Sequence, residues 1–425
     1  MTARSQTPFA RFMVMVSLIA AGEAVFALPF VLARVFRPTV LDVFGLTNLQ
    51  LGVAFSLYGI VAMVSYFAGG PFADRYSARR LMTVALLATA AGGIVYAGIP
   101  SLTMLRPLYA YWGLTTIFLF WAALIRATRE WGGPTAQGRA YGILDGGRGF
   151  FAALLASISV MIFAALLPMD PASATLAQRT AALTQVIWIF TALTAGAGLL
   201  VWVFVPDTAP GDPAIPQHKF TLEGLRAVVR MPAVWLQAAI VVCAYVGYKS
   251  TDDFSLFARD AFGYDDVAAA KVGTISFWVR PFAAIAAGLI ADRIGTSRAT
   301  ALSFGIVIVG SLSIALGALQ PDAHWMIVAT VIGASTGIYA LRGIYFALFG
   351  EARVPLAFTG SAVGVVSVIG FTPDVFMGPT MGFLLDRSPG TLGHQHVFAM
   401  VAIFGVIGLV STLLFQKITR DARLV

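Results

Sequence analysis

The sequence predicts an all-α polytopic membrane protein, with twelve transmembrane helices in two six-helix halves related by pseudo-two-fold symmetry. Three observations predict it. Of 425 residues, 59% are hydrophobic and only 11% are charged, with a mean hydropathy of +0.84, which is more apolar surface than a water-soluble chain of this length hides. Apolar runs of roughly 20 residues, each long enough to cross a hydrocarbon core of about 30 Å as a helix, recur from end to end. The stretch Gly70-Pro71-Phe72-Ala73-Asp74-Arg75 after the second run returns as Gly288-Leu289-Ile290-Ala291-Asp292-Arg293 after the eighth, so one plan is used twice.

The spans are expected at 12–36, 49–72, 81–99, 105–127, 140–167, 182–205, 234–257, 267–290, 300–319, 325–349, 358–385 and 396–415. The first is too long for a signal-peptide core and no small-residue cleavage site follows, so it is expected to be retained. The longest polar interval near the middle carries Pro206, Pro210, Pro213, Pro216 and Lys219. It reads as a cytoplasmic linker, 206–230, between an N-terminal bundle, 1–205, and a C-terminal bundle, 231–425.

A net charge of +8 would suit nucleic acid if taken alone, but the positions of the charges exclude that partner. Arg4, Arg11, Arg75, Arg79, Arg80, Arg129, Arg139, Lys219, Arg226, Arg230, Arg293, Arg298, Arg353, Lys417, Arg420 and Arg423 fall on one side of the expected spans, against Arg37, Arg106, Arg179, Arg259 and Arg387 on the other. This asymmetry places both termini in the cytoplasm of an inner membrane and turns the basic loops toward membrane lipid.

The loop Gly70-Pro71-Phe72-Ala73-Asp74-Arg75-Tyr76-Ser77-Ala78-Arg79-Arg80 resembles the G-x-x-x-D-R-x-x-x-R-R loop of the major facilitator superfamily, and its degenerate copy falls where that family puts one. The resemblance covers the whole chain, with Ser77 standing where the family usually has Gly. It implies the major facilitator fold and a secondary transporter that moves a small solute by alternating access, with no cofactor. A monomer is expected. The physics of the loop is legible beside the resemblance: Gly70 permits close helix packing, Asp74 suits a helix N-terminus, and Arg75, Arg79 and Arg80 clamp carboxylates and anionic headgroups. A conformational latch is the expected role for these residues and for Gly288, Asp292 and Arg293. A merely basic loop would explain Arg79 and Arg80 but not the repeated Gly-x-x-Ala-Asp-Arg.

Charges far from either interface cost at least ~2.5–3.5 kcal/mol to insert, so those that cannot snorkel are candidates for function. Arg280 lies twelve residues before Asp292, roughly 18 Å along a helix. The stretch Arg280-Pro281 with Gly288 and Asp292 resembles the R-P-x-x-G-like eighth helix of monocarboxylate and oxalate:formate carriers, which implies a substrate carboxylate bound at Arg280. A guanidinium fork suits that partner on chemical grounds as well; the alternative is a permanent pair with an acid such as Asp374. Glu23, twelve residues past Arg11, is also at mid-depth and reads either as a counter-ion and proton acceptor or as half of a structural pair.

Arg342 in the tenth span lies among Tyr339 and Tyr345 and is expected at the solute cavity with Arg280, Glu23 and Asp374. Arg126 is either a gate or an interface anchor. Lys249 with Asp252 or Asp253 forms an i,i+3 or i,i+4 set read as an outer gate or a self-satisfied pair, with Asp253 expected close to water. Asp145 and Arg148, three apart in a glycine-rich stretch, read as an inner gate bridging to the second half. Asp374 follows Pro373, with Gly378 and Pro379 a turn later, so a kinked or locally unwound eleventh helix is expected. Trp121, Phe118, Tyr58 and Tyr66 read as packing or belt rather than as a ligand wall.

Enzymatic chemistry finds little support. His218, His324, His394 and His396 fall in expected loops or at span ends, and Cys243, the single cysteine, allows no disulfide or thiolate cluster. A phosphate-cradling G-x-x-x-x-G-K-[ST] is missing, so a gradient rather than ATP must drive transport, with protons a candidate coupling ion. The rival within the superfamily is a drug or metabolite exporter. Against a drug exporter, the fifth span lacks a G-P-x-x-G-G pattern and an arginine at mid-depth repels lipophilic cations. A receptor without transport would need a soluble signalling domain, for which no interval has room.

Overall fold

In hydrocarbon every backbone polar group must be satisfied from within, and a helix does this inside one segment. The computed structural model describes residues 7–73, 75–133, 136–208, 222–320, 322–352, 354 and 359–424. Among these, twelve helices are long and apolar enough to cross a membrane. They are α1 (Pro8–Val35), α2 (Asn48–Tyr66), α3 (Ala78–Ala97), α4 (Leu102–Gly132), α5 (Arg139–Leu166), α6 (Leu176–Phe204), α7 (Pro232–Phe262), α8 (Asp266–Ile294), α9 (Thr296–Ala315), α10 (His324–Glu351), α11 (Ala362–Arg387) and α12 (Thr391–Arg420). Each coincides with one expected span. Asp74 of the repeated loop and Pro210, Pro213, Pro216, His218 and Lys219 of the expected linker lie outside the described residues.

Local chemistry sets the helix ends. Asp265 caps α8 by accepting from the Val267 and Ala268 N–H groups, both at 2.8 Å, and Thr175 and Gln178 form a reciprocal capping box on α6. Gly263, at φ 64°, closes α7 in the left-handed conformation. Two interruptions inside spans fall where the ladder loses a donor. Residues 27–31, around Pro29, form a π-helical turn in α1, and α11 breaks at Phe371–Thr372 before restarting at Pro373, as Pro373 led the sequence to suggest.

The chain divides into two compact units, residues 1–46 with 57–215, and residues 47–56 with 216–425. In the first, α3 packs along α6 and α1 packs against α6; in the second, α9 packs along α12 and α7 against α12. The third and sixth helices of each set are therefore partners, as are the first and sixth, and the repeat seen in the loop motif is also a repeat of packing. Small residues let the backbones approach, as lipid-embedded helices require. A Cβ on Gly337 of α10 would stand 2.8 Å from the Ser303 carbonyl oxygen of α9, and one on Gly343 would stand 3.2 Å from Ala284 Cα of α8. Within the second unit, Asp386 accepts from the Asn48 and Leu49 N–H groups at 3.0 and 2.8 Å, a carboxylate cap on a helix N-terminus.

Candidate functional site

Each unit builds its own polar cluster. In the first, α1 brings Glu23, which is buried, and α5 brings Arg148, which is partly buried, with Arg148 Nε 3.4 Å from Glu23 Oε2. The same Nε–H donates to the Gly22 carbonyl at 3.0 Å. Gly22 is small because Arg148 occupies its side: an added Cβ would lie 2.9 Å from Arg148 Cδ. The guanidinium also faces the rings of Trp121 at 5.6 Å and Phe26 at 5.9 Å. Trp121 thus belongs to a polar cluster, whereas Phe118 stacks on Phe72 and Tyr58 bonds Thr116. Arg148 thus has an acidic partner on another helix of its own unit, which its spacing from Asp145 does not reveal, because helical spacing fixes neighbours along one helix but not the helix across. Of the nearby glycines, Gly147 is in close contact, with Ile19, while Gly142 and Gly146 face open space.

Arg34 and Arg37 were not foreseen as interior groups. Both are buried, Arg37 to 1% exposure, which corrects its placement among the outside loop residues. Helix α1 runs on to Val35 and a short helix, Arg37–Phe44, follows directly, so the loop in which Arg37 would have met water is absent. Asp42 of that short helix pairs with Arg179 at 2.8 Å.

The loop between α2 and α3 is held by side chains of its own unit. Arg126 Nη1–H donates to the Ala73 and Tyr76 carbonyls at 3.1 and 3.3 Å, and its Nε–H to Glu130 Oε1 at 2.8 Å. Arg126 therefore fastens the end of α2 rather than snorkelling free. Arg79 and Arg80 both donate to Asp207 Oδ2, at 2.8 and 3.0 Å, and Arg79 lies over the Trp202 ring. The Ser77 hydroxyl beside it, with Arg80 and Arg79, holds the Asp207 carboxyl below the usual carboxylate range. Arg75 is exposed. In the second unit, Asp292 and Arg293 are exposed near the end of α8, and Gly288 faces open space.

In the second unit Arg280 is the middle residue of α8, equidistant from Asp266 and Ile294 and roughly 21 Å from either end, with 9% exposure. Pro281 follows it and lacks an N–H, so the helix bond to the residue 277 carbonyl is lost at that level. The approach of Gly343 to Ala284 sets the register of α10 against α8. It puts Arg342 within about one and a half turns of Arg280 along the helix axis. Arg342 Cζ lies 3.7 Å from the Tyr248 ring centroid and 5.8 Å from that of Tyr245.

Tyr245 ties this aromatic face to the acid cluster: its hydroxyl donates to Asp374 Oδ2 at 3.1 Å. Lys249 Nζ stands 3.5 Å from Asp374 Oδ1 and 3.5 Å from Asp252 Oδ2, with both partners largely buried. The structure brings Asp374 to Lys249, where the sequence offered a pair with Arg280 as the alternative to a substrate role, and Lys249 bridges two acids. The expectation that Asp253 stands close to water is overturned: it is 0% exposed, and its Oδ2 lies 2.6 Å from His394 Nδ1. His394, in the first turn of α12, is likewise 0% exposed. His324 bonds Tyr264 at 2.9 Å.

Twelve spanning helices, two units with one packing plan and a buried guanidinium at mid-depth are the setting for the comparisons. The family model of the Major Facilitator Superfamily matches residues 12–373. The chain belongs to that superfamily. It is similar to two Escherichia coli proteins, inner membrane protein YqcE, 28% identical over 88% of each chain, and inner membrane protein YihN, 25% identical over 95% of each. Among solved structures, a bacterial homologue of the human lysosomal transporter Spinster matches with a TM-score of 0.75 at 16% identity, covering 98% of this chain and 99% of that one. The nucleoside transporter NupG matches with a TM-score of 0.71 at 15% identity, covering 96% and 99%. At such identities the structures establish the fold alone. The protein is a multi-pass membrane protein with the fold and family of the major facilitator transporters.

Proposed function

We propose that this protein is a secondary active transporter that carries a small organic anion, most simply a carboxylate, across the inner membrane by alternating access, with both termini in the cytoplasm. The observation that carries the anion reading is Arg280, a buried guanidinium at the middle of α8. An arginine kept at that depth is expected to meet negative charge, and its fork suits a carboxylate. Arg342 stands within about one and a half turns on α10 and adds a second cation beside Tyr248 and Tyr245. Those rings suit a solute with a flat or apolar body next to its charged end. Lys249 with Asp252 and Asp374 in one unit, and Glu23 with Arg148 in the other, are the pairs whose exchange of partners would accompany alternation. The linker 206–230 joins the two bundles and the protein works as a monomer.

The test is thermal stabilisation of the detergent-purified protein by a panel of carboxylates, sugar acids, phosphate esters, nucleosides, neutral sugars and lipophilic cations, run beside Arg280→Ala. Stabilisation by anions alone, absent in the variant, supports the reading and names the solute class. Stabilisation by neutral or cationic compounds that is unchanged in Arg280→Ala would make Arg280 a structural group and favour an exporter of drugs or neutral metabolites.

A further inference from the structure

Two carboxylates and one imidazole meet in the second unit away from the arginines. His394, near the start of α12, is 0% exposed, as is Asp253 of α7. Its Nδ1 lies 2.6 Å from Asp253 Oδ2 and its Nε2 lies 3.2 Å from Asp260 Oδ2. An ionised carboxylate only accepts hydrogen bonds, and a neutral imidazole has one donor. Both contacts are therefore bonds only when the cluster holds one proton more than a neutral ring and two carboxylates.

We propose that Asp253, His394 and Asp260 form a proton-binding site, with the proton carried on His394 and exchanged with solvent through Asp260. Asp260 is the entry because its side chain is 27% exposed while those of the other two are sealed. A proton from water passes by way of Asp260 Oδ2 to Nε2; an N–H bond forms there, the O–H bond breaks, and the ring becomes an imidazolium whose Nδ1–H still donates to Asp253.

The charge count fits that loading. Arg259 Nε is 3.3 Å from Asp260 Oδ1, so with the proton aboard the four groups sum to zero, and without it they leave one negative charge. That charge would fall in an apolar cage: the Phe257 ring is 5.3 Å from the imidazole and packs on Phe398. Among the described residues Asp253 Oδ1 is buried with no hydrogen-bond partner, so Asp253 depends on His394. The two nitrogens face different carboxylates and the three groups do not converge on one point as metal ligands would.

The inner end of the site abuts the network described above. Asp253 follows Asp252 in the chain, Asp252 pairs with Lys249, and Lys249 pairs with Asp374. Loading or unloading the proton thus changes the field on the groups that flank Tyr245 and Arg342. Other charged or titratable groups near these ends of the surrounding elements include Tyr264 before α8, Asp265, Asp266 and Lys271 at its start, His324 at the start of α10, Asp386 and Arg387 at the end of α11 and His396 on α12 itself.

The site stands independently of the solute assignment. Its test is the nitrogen-15 spectrum of ring-labelled histidine in the purified full-length protein, with His218, His324 and His396 replaced by Gln so that His394 alone reports. The expected result is an imidazolium at about pH 6 that loses one proton as pH is raised to about pH 10 while melting curves show the protein still folded. Asp260→Asn should bind the proton about tenfold more weakly, since it keeps the shape and removes a charge. A neutral ring of a single tautomer at about pH 6 would overturn the proposal. So would an imidazolium that persists until the protein unfolds, which is a fixed structural ion. The spectra require no substitution of His394 itself, and a solute that fails to bind Arg280→Ala bears only on the other reading.

Discussion

The guanidinium carbon of Arg342 sits 3.7 Å from the centroid of the Tyr248 ring. A desolvated contact of this kind contributes about 2 kcal/mol. Tyr248→Leu removes the ring face and is expected to lower the melting temperature, while Tyr248→Phe, which keeps the face, should lie close to the parent. Equal melting of Leu and Phe variants would mean that the ring acts only as packing volume.

Glu23 and Arg148 form a buried pair whose partners cannot both find water. Glu23→Gln leaves the Arg148 charge in the unit and should destabilise by about 3–5 kcal/mol, whereas Glu23→Gln with Arg148→Met removes both charges and should recover most of that loss. Chemical denaturation or detergent melting of the three variants checks it. A double variant no better than the single would show that the Arg148 bond to the Gly22 carbonyl, rather than the ion pair, holds the cluster.

Asp207 offers a pH readout outside the membrane. Its carboxyl is held low by Ser77, Arg80 and Arg79, so its folded value lies beneath the unfolded one. Such a group contributes stability above the unfolded pKa, near 3.9, and the contribution is lost as pH falls through the folded value. Asp207→Asn should therefore flatten the acid limb below about pH 4 and change stability at neutral pH by less than about 1 kcal/mol, as Arg80 and Asp207 are part-exposed. A melting-temperature profile against pH for the two proteins decides it.

What the sequence reveals and what it hides divide along one physical line. Twelve spans were legible because hydrocarbon thickness sets a length and excludes charge, a constraint written in each segment separately. Arg280 and Glu23 were legible as interior groups for the same reason, since depth follows from counting along one helix. Partners were not, because the residue opposite depends on which helix lies alongside: Lys249 to Asp374, and Glu23 to Arg148, are choices made by packing. His394 did carry a signal. Val397, Phe398, Val401 and Ala402, at helical spacing from it, are all buried, so the 3.6-residue period places His394 on the inward stripe of α12. Its distance from the span end placed it in a loop or at a span end, and its face was not read. Arg34 and Arg37 lie on either side of the break at Phe36, where the span was expected to end, and that boundary concealed their burial.

Close packing of α9 on α10 gives a further expected outcome. Gly337→Ala would place a methyl 2.8 Å from the Ser303 carbonyl and 2.9 Å from the Val307 N atom, backbone atoms that can give way only if the helices separate. A loss of roughly 1–3 kcal/mol is expected for such overpacking. Gly333→Ala on the same helix, whose added Cβ meets nothing, is the control and should be neutral or slightly stabilising, as Ala favours the helix.

Lys249 is the group whose loss the second unit should tolerate least. It is 3% exposed and stands between Asp252 and Asp374, so Lys249→Met leaves two carboxylates near one another with no cation between them. The expected loss is about 3–5 kcal/mol. Removing one acid at the same time, with Asp374→Asn, should restore part of the stability, because the Tyr245 hydroxyl can still donate to the amide oxygen. If Lys249→Met melts like the parent, the two carboxyls share a proton in the folded protein, and raising pH should then destabilise the variant more steeply than the parent. Melting curves of the parent, Lys249→Met and the double variant at two pH values separate these cases.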